Sequence, residues 1–510
     1  MHRFLLAALS ALTLAAATPF PPAHAQTMGK ELRIGLREDP DLLDPTLGSS
    51  YVGRLVYAGM CDKLFDLDAK LAIVPQLATG YRYEDPTHLV ITLRPNVTFQ
   101  DGEKLDAEAV KYTLTRNLTL KGSMRAGEIN AIKAIDIIDP LTLRLVLKAP
   151  SAPLLSQLAD RAGIIIAPKA AEAAGPAKFG LHPVCAGPFA FHSRVAEDRI
   201  VLDRFPGYWN AGAIHFERLV YLPVVNSAAR LANLKAGALD MVEYILPTDM
   251  SQVRADPKLK LAVGDGLGYG GITINTGNGP AADTALGRNA LVRQAFDLSI
   301  DRSALVKVVY NGAFAPTAQA NPPTSPFFVP SVTPPARDVA RARELLKEAK
   351  VVLPVPVVLT ASTNPDSQQV AEVVQAMARD AGFDVRIRTM EFASSLSAAY
   401  HGDFQAYLVG WSGRADADGN MWSMLHTGGP FNYGRYANPA VDRLLDAARE
   451  ETDVAKRRDL YAQVWTEERK DLPIVYLWNT RNIVGMRKDL MGFQQVPDGL
   501  IRPQGMYLQH

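Results

Sequence analysis

The chain has 510 residues, 48% of them hydrophobic, with 54 lysines and arginines against 53 acids and only two cysteines. Such a balance excludes a basic nucleic-acid surface or an anionic-membrane surface as its organising feature, and the length exceeds one ordinary hydrophobic core, so two or three domains are expected. Its 35 prolines and 37 glycines are scattered rather than gathered in one linker, which argues for one interwoven globular body.

Residues 1–25 combine Arg3, the apolar run Phe4 to Ala17 and the triplet Ala23-His24-Ala25, the three parts of a cleavable secretory signal. The apolar run is shorter than the roughly 20 residues a bilayer span requires. The first cysteine is Cys61, so no cysteine stands at the cleavage point to carry a lipid. The mature chain is expected to begin near Gln26 and to be free in the periplasm, not lipid-anchored. There, Cys61 and Cys185 read as a disulfide, the alternative being two buried thiols, because sequence does not fix their Cα separation.

Leu32 to Leu36 predicts a strand, followed by the polar turn Arg37-Glu38-Asp39-Pro40-Asp41. Tyr51 to Asp66 predicts a helix and then extended chain. Leu89 to Leu93 and Leu141 to Leu147 alternate as half-buried strands do. Between them Asp106 is placed to cap a helix whose face carries Val110, Leu114 and Leu118, with Leu105 stapled to Val110. Ser151 to Leu158 predicts a short helix, Ile200 to Leu202 and Leu219 to Pro223 strands, and Ser227 caps a helix that Gly237 ends in a left-handed conformation. Leu259 to Val263 and Gly271 to Asn275 read as extended, Ala290 to Ala295 and Ser303 to Tyr310 as helices. The proline-rich stretch Pro316 to Pro335 predicts an irregular loop.

The rhythm then changes to helix Asp338 to Glu348, strand Val355 to Thr360, helix Ser367 to Ala381 and strands Asp384 to Thr389 and Gln405 to Gly410. Helices Ala440 to Glu450 and Val454 to Lys470 and strand Ile474 to Trp478 follow. This alternation predicts an α/β lobe with a largely parallel sheet. The tail from Arg481 returns to short extended pieces.

Several motifs do not support chemistry. Gly266 to Gly271 matches G-x-G-x-x-G, but the extended run Ile272-Thr273-Ile274 follows where a phosphate-binding helix would start, so the glycines read as a flexible strand-to-strand crossing. Asp416-Ala417-Asp418-Gly419-Asn420 resembles a calcium loop, yet Arg414 and Leu425 occupy its first and twelfth positions. The nine histidines form no zinc motif. Ser412 lies between glycines without the G-x-S-x-G spacing of a nucleophile. No catalytic residue, metal or cofactor is expected.

The stretches Ile73-Val74-Pro75-Gln76-Leu77-Ala78, Val97 to Val110 with Asp101-Gly102, Ala186-Gly187-Pro188-Phe189, Arg230 to Asp240, Val292 to Phe296 with Ile300-Asp301-Arg302, Gly410-Trp411-Ser412-Gly413 and Asn438-Pro439-Ala440-Val441-Asp442 come in a telling order. Across the whole mature chain the sequence resembles the periplasmic solute-binding proteins of peptide, nickel and opine ABC importers. The resemblance implies an α/β, two-lobed periplasmic binding protein fold, type II and cluster C-like, with an extra subdomain in lobe one. It implies lobe one from residues 26–70, 184–267 and 481–510, the subdomain from 71–183, and lobe two from 268–480. It also implies hinge movement near Gly268 to Asn275 and near Arg481.

In dipeptide binders of that family, an acid after the glycine of the Gly-Trp motif holds the ligand amine, and an arginine before Tyr-Asn-Pro holds its carboxylate. Here those positions are Arg414 and Ala361, the latter in Ala361-Ser362-Thr363-Asn364-Pro365. Arg414 therefore reads as a donor fork for an anionic group of the solute, or as a partner of Asp416 or Asp418. Trp411 reads as a stacking wall or as core. Ser412, Thr363, Asn364, Asn432 and Tyr433, with Leu42, Leu43 and Tyr51 from lobe one, are the remaining candidates.

The expected function is a non-enzymatic extracytoplasmic receptor for a peptide-like or other small, partly anionic solute. It delivers that solute to ABC permease subunits in the inner membrane, acts as a monomer and binds no nucleic acid. A metal-chelate or haem carrier of the same fold is the alternative. A secreted hydrolase is the alternative from another class.

Overall fold

The computed structural model describes residues 31–509; the expected secretory signal lies outside them. An eleven-stranded mixed sheet forms the spine. Its order runs Phe383–Met390, Val355–Ser362, Ala406–Trp411, Leu259–Ile274, Ile474–Arg487, Met241–Val242, Glu31–Leu36, Arg218–Pro223, Arg199–Arg204 and Phe189–Val195, with Ala315–Pro316 added to Ile474–Arg487. The two longest strands, Leu259–Ile274 and Ile474–Arg487, are antiparallel neighbours and belong to both halves of the molecule. Residues 259–265 pair with 481–487 beside Met241–Val242, whereas 269–274 pair with Ala406–Trp411 on the far side, and the register shifts between Asp265 and Tyr269.

Each half has its own apolar filling. On one side Leu32, Ile34 and Leu36 of the first strand pack with Val52, Val56 and Met60 of helix Tyr51–Met60. On the other, Val355, Val357 and Leu359 pack with Val370, Val374 and Ala378 of helix Pro365–Ala381 and with Val292, Phe296 and Leu305. A separate four-stranded antiparallel sheet, Ala78–Asp85, His88–Leu93, Thr142–Leu147 and Ile132–Asp139, is covered by helix Ala107–Thr119. The Asp106 carboxylate caps that helix by accepting from the Ala109 N–H at 3.0 Å, and Leu105 and Val110 are buried as the staple requires.

Local expectations are corrected in three places. Helix Ser227–Lys235 is capped by Asn226, whose Oδ1 accepts from Ala229 N–H at 2.9 Å, and Ser227 is its first helical residue. The sheet of the second half is parallel only through Phe383–Met390, Val355–Ser362 and Ala406–Trp411, because the two long strands enter it antiparallel. The glycine run 266–271 is the middle of one 16-residue strand and not a crossing between two. Glycine is needed there for close approach: a Cβ on Gly268 would overlap the Trp411 carbonyl oxygen, and one on Gly270 the Trp478 indole.

Cys61 and Cys185 are joined, with Cα atoms 5.0 Å apart and a sequence separation of 124. The bridge ties the end of helix Tyr51–Met60 to the segment leading into Phe189–Val195.

Candidate functional site

The parallel strands of the two halves point their carboxyl ends at one another, and the residues just beyond those ends line a cavity of about 190 Å³. Ligands in open α/β sheets bind at such strand ends. The volume lies below the roughly 300–1,000 Å³ of drug-sized pockets, so it suits a compact solute. From the first half come Arg37, Glu38 and Tyr51, with Tyr244 beyond Met241–Val242. From the second come Asn364, Asp366, Phe392, Trp411 and Ser412. Tyr269, Trp478, Arg481 and Asn482, on the two long strands, complete the wall.

The strand register brings the first charges together. Gly35 lies opposite Val242, so the ends of these neighbouring strands, which lead into Arg37 and Glu243, lie side by side. Arg37 donates from Nε and Nη2 to the Glu243 carboxylate at 2.9 and 3.0 Å, and its guanidinium lies 4.0 Å from the Tyr244 ring centroid. Burial alone would lower the pKa of Arg37, but the Glu243 carboxylate outweighs it and holds the group charged.

Glu38 is different. Burial drives its pKa up to about 8, against the opposing pull of Arg37, so at neutral pH its carboxyl is mostly protonated. Its Oε1 accepts from Asn364 Nδ2 at 2.7 Å. Asn364 is the N-cap residue of helix Pro365–Ala381, yet its side chain makes no cap bond, because the amide is turned to Glu38. Asp366, in the first turn of that helix, forms no ion pair among the described residues, and burial raises its pKa against the pull of Arg37 and Arg230. Arg481 is held only loosely, 3.7 Å from Asp265, with its side chain 42% exposed. The cavity thus offers aromatic walls, an uncommitted carboxylate and a loosely tied guanidinium.

Of the residues singled out from sequence, Tyr51, Asn364, Trp411 and Ser412 line the cavity. The Tyr51 hydroxyl donates to the Gly499 carbonyl at 2.8 Å, and the Trp411 indole N–H to Asn420 Oδ1 at 3.0 Å. The others do not line it. Leu43 is fully buried core and Leu42 points outward, its carbonyl accepting from the Tyr57 hydroxyl. Thr363 is exposed beside the strand end. Asn432 holds its own loop by donating to the His426 and Tyr436 carbonyls, and Tyr433 packs edge-on against Phe431.

Arg414 is the main correction. Its guanidinium is buried against Asp160, 2.6 Å from Nε to Oδ2, and lies 4.3 Å from the Trp411 ring centroid. Asp416 and Asp418, the partners expected from its own loop, are taken by Arg457 and Arg449. Burial would raise the pKa of Asp160, but Arg414, Arg54 and Arg161 together hold it well below the usual carboxylate range. Ser412 Oγ accepts from Arg54 Nη1 at 3.1 Å, joining the two halves behind the cavity wall.

Sequence reading passed over Arg37, Glu38, Asp366 and Arg481. A charged pair directly after the first strand was a usable signal for the first two. Nothing local marks the others, which become neighbours only when the halves meet. No group of three or more His, Cys, Asp or Glu side chains placed to hold a metal occurs among the described residues.

A cavity closed between two halves of one sheet, with both long strands shared, defines a two-lobed binding protein. A model of the bacterial extracellular solute-binding proteins, family 5, matches residues 72–432. The chain is 30% identical over 475 residues to the glutathione-binding protein GsiB of Pectobacterium atrosepticum, covering 90% of each. The periplasmic binding protein AgaA of A. tumefaciens R10, solved with agropinic acid, superposes with a TM-score of 0.86 at 24% identity, covering 94% of this chain and 99% of that one. DppA of Helicobacter pylori, solved with the peptide STSA, gives 0.86 at 23% identity, covering 94% and 98%. The chain belongs to family 5 of the bacterial extracellular solute-binding proteins. It is a solute receptor of the peptide/nickel type that serves ABC importers, and its relatives are binding proteins rather than enzymes. Members of the family are periplasmic, and no helix among the described residues is long and apolar enough to cross a membrane.

Proposed function

We propose that this receptor captures a compact peptide-like solute carrying both an amine and a carboxylate, and releases it unchanged to an inner-membrane permease. The observation that carries the reading is the uncommitted Asp366 carboxylate in an aromatic-walled cavity that also holds Arg481. A half-buried carboxylate held in no ion pair is stabilised by a solute ammonium group, and a loosely held guanidinium by a solute carboxylate. Trp411, Trp478 and Tyr269 supply apolar faces between them. The similarity to glutathione-binding proteins favours small peptides of that size.

The reading includes a leader cleaved near Gln26, a monomer free in the periplasm, and lobe boundaries at residues 70, 183, 267 and 480. Native mass spectrometry of gently purified protein, followed by titration calorimetry with glutathione, dipeptides and tripeptides, tests it. Saturable binding with the ligand recovered intact supports the proposal. Failure of all three classes to bind, or their turnover, rejects it.

A further inference from the structure

The loop between helix Ala107–Thr119 and strand Ile132–Asp139 faces two bodies at once. Toward its own side, Ile129 is fully buried in the core under the four-stranded sheet, and the Met124 N–H donates to the Thr46 carbonyl at 2.9 Å. Ser123 Oγ accepts from the N–H groups of Arg125 and Ala126 at 3.1 and 3.2 Å. These contacts fix the shape of the loop from within the first half.

Its other side sits on the second half. The Met124 side chain, 6% exposed, belongs to an apolar cluster whose other members lie between Tyr269 and Tyr476. Gly127 lies against Trp422: a Cβ there would stand 2.7 Å from Cζ3 of the indole and 3.4 Å from Cδ of Pro430. Asn130 Oδ1 accepts from Arg449 Nη1 at 2.9 Å, and further along the chain the Ala152 N–H donates to the Arg449 carbonyl at 2.9 Å. The surface that receives the loop is itself held in place. Trp422 donates from Nε1 to Asp446 Oδ1 at 3.0 Å, stacks on His426 with ring centroids 4.4 Å apart, and carries the Arg449 guanidinium 3.7 Å from its own centroid.

None of Met124, Gly127, Asn130, Trp422 and Arg449 lines the cavity. Their contacts are of protein on protein, so they favour the closed arrangement by the same amount with and without solute, through buried apolar surface and a hydrogen bond. Where the closed arrangement is the one that binds, apparent affinity scales with the fraction of receptor already in it. We propose that residues 124–130 form a latch that keeps the two halves together without solute, and so set the affinity of the receptor from outside its cavity. The latch acts alike on every solute and holds whichever solute the receptor takes.

Small-angle scattering of protein dialysed free of small molecules tests the latch with no solute added. Wild type is expected to scatter as the closed structure does. Gly127→Val wedges the loop off Trp422 and is expected to give a larger radius of gyration, while the control Gly212→Ala, where a Cβ meets nothing within 4 Å, leaves the profile unchanged. Should Gly127→Val fail to fold, Met124→Ala carries the comparison, because it shortens a side chain seated on the second half and leaves Ile129 in its own core. Equal profiles for wild type and the folded loop variant overturn the proposal, as does a wild-type profile more extended than the closed structure. Since no solute enters the experiment, failure of the peptide reading leaves its outcome untouched.

Discussion

Asn364 reaches across the cavity to Glu38, donating from Nδ2 to Oε1 at 2.7 Å, and so joins residues 326 positions apart. The donated N–H favours the charged carboxylate, but burial outweighs it and raises the Glu38 pKa from 4.5 to about 8. A raised pKa means that the closed form holds a proton the exposed carboxyl would lose. Closure is therefore fully favoured below about pH 4.5 and weakens as pH rises toward 8, with no further loss from this group above it. Solute affinity measured from pH 5 to 9 should fall through that window. Glu38→Gln should flatten the profile, and an unchanged slope in that variant would count against Glu38 as the titrating group.

Asp366→Asn removes the charge offered to a solute amine and keeps the shape. Binding of an amine-bearing peptide should weaken by roughly 1.5–3 kcal/mol, the range of a hydrogen bond to a charged group, with melting unchanged. An N-acetylated form of the same peptide should be nearly indifferent to the substitution. Calorimetry on the two ligands separates a specific contact from a general disturbance.

Gly270→Ala forces a methyl group into the Trp478 indole, which lines the cavity. Overpacking of this kind costs about 1–3 kcal/mol. The expected outcome is a lowered melting temperature together with weaker binding, because the displaced ring is part of the solute wall. Equal melting and equal affinity would show that the indole moves aside freely.

Asp160 and Arg414 should respond unequally to removal. Asp160→Asn leaves Arg54, Arg161 and Arg414 buried without their shared counter-charge, and breaking a buried pair in this way costs about 3–5 kcal/mol. Arg414→Ala costs less, since Arg54 still bonds both Asp160 oxygens at 3.1 and 2.9 Å. Denaturant melts of the two variants give the order, and a less stable Arg414→Ala would contradict it.

The disulfide closes a long loop, with a sequence separation of 124. The chain-entropy model gives roughly 4–5 kcal/mol for such a loop as an upper guide. Reductant should lower the melting temperature and expose two alkylatable thiols. Solute binding at temperatures where the reduced protein remains folded should persist, because neither cysteine lines the cavity.

Signals confined to a few residues were readable directly. The cap at Asp106, the loop Pro316 to Pro335 and the apolar faces of the helices all follow from local chemistry. Strand Ala78–Asp85 was missed because most of its side chains are exposed and it lacks alternation. The site was only partly legible for a related reason. Trp411, Ser412, Asn364 and Tyr51 sit in motifs or at element ends, whereas the pairing of Arg414 with Asp160 depends on two distant segments meeting. The charge at position 414 was visible; the carboxylate that answers it was not.

The contacts that shut the lobes have a character of their own. Gln157 Nε2 donates to Asp418 Oδ2 at 3.1 Å and Arg449 Nη1 to Asn130 Oδ1 at 2.9 Å, while Asp418 and Arg449 are already paired with each other. Arg54 meets the Ser412 hydroxyl, and even Asp160, on losing Arg414, keeps Arg54. Parting the lobes therefore swaps mostly neutral partners for water, and of the ions only Arg414 gives up its carboxylate. Such a clasp is easily undone, which suits a carrier that must surrender its cargo at every docking.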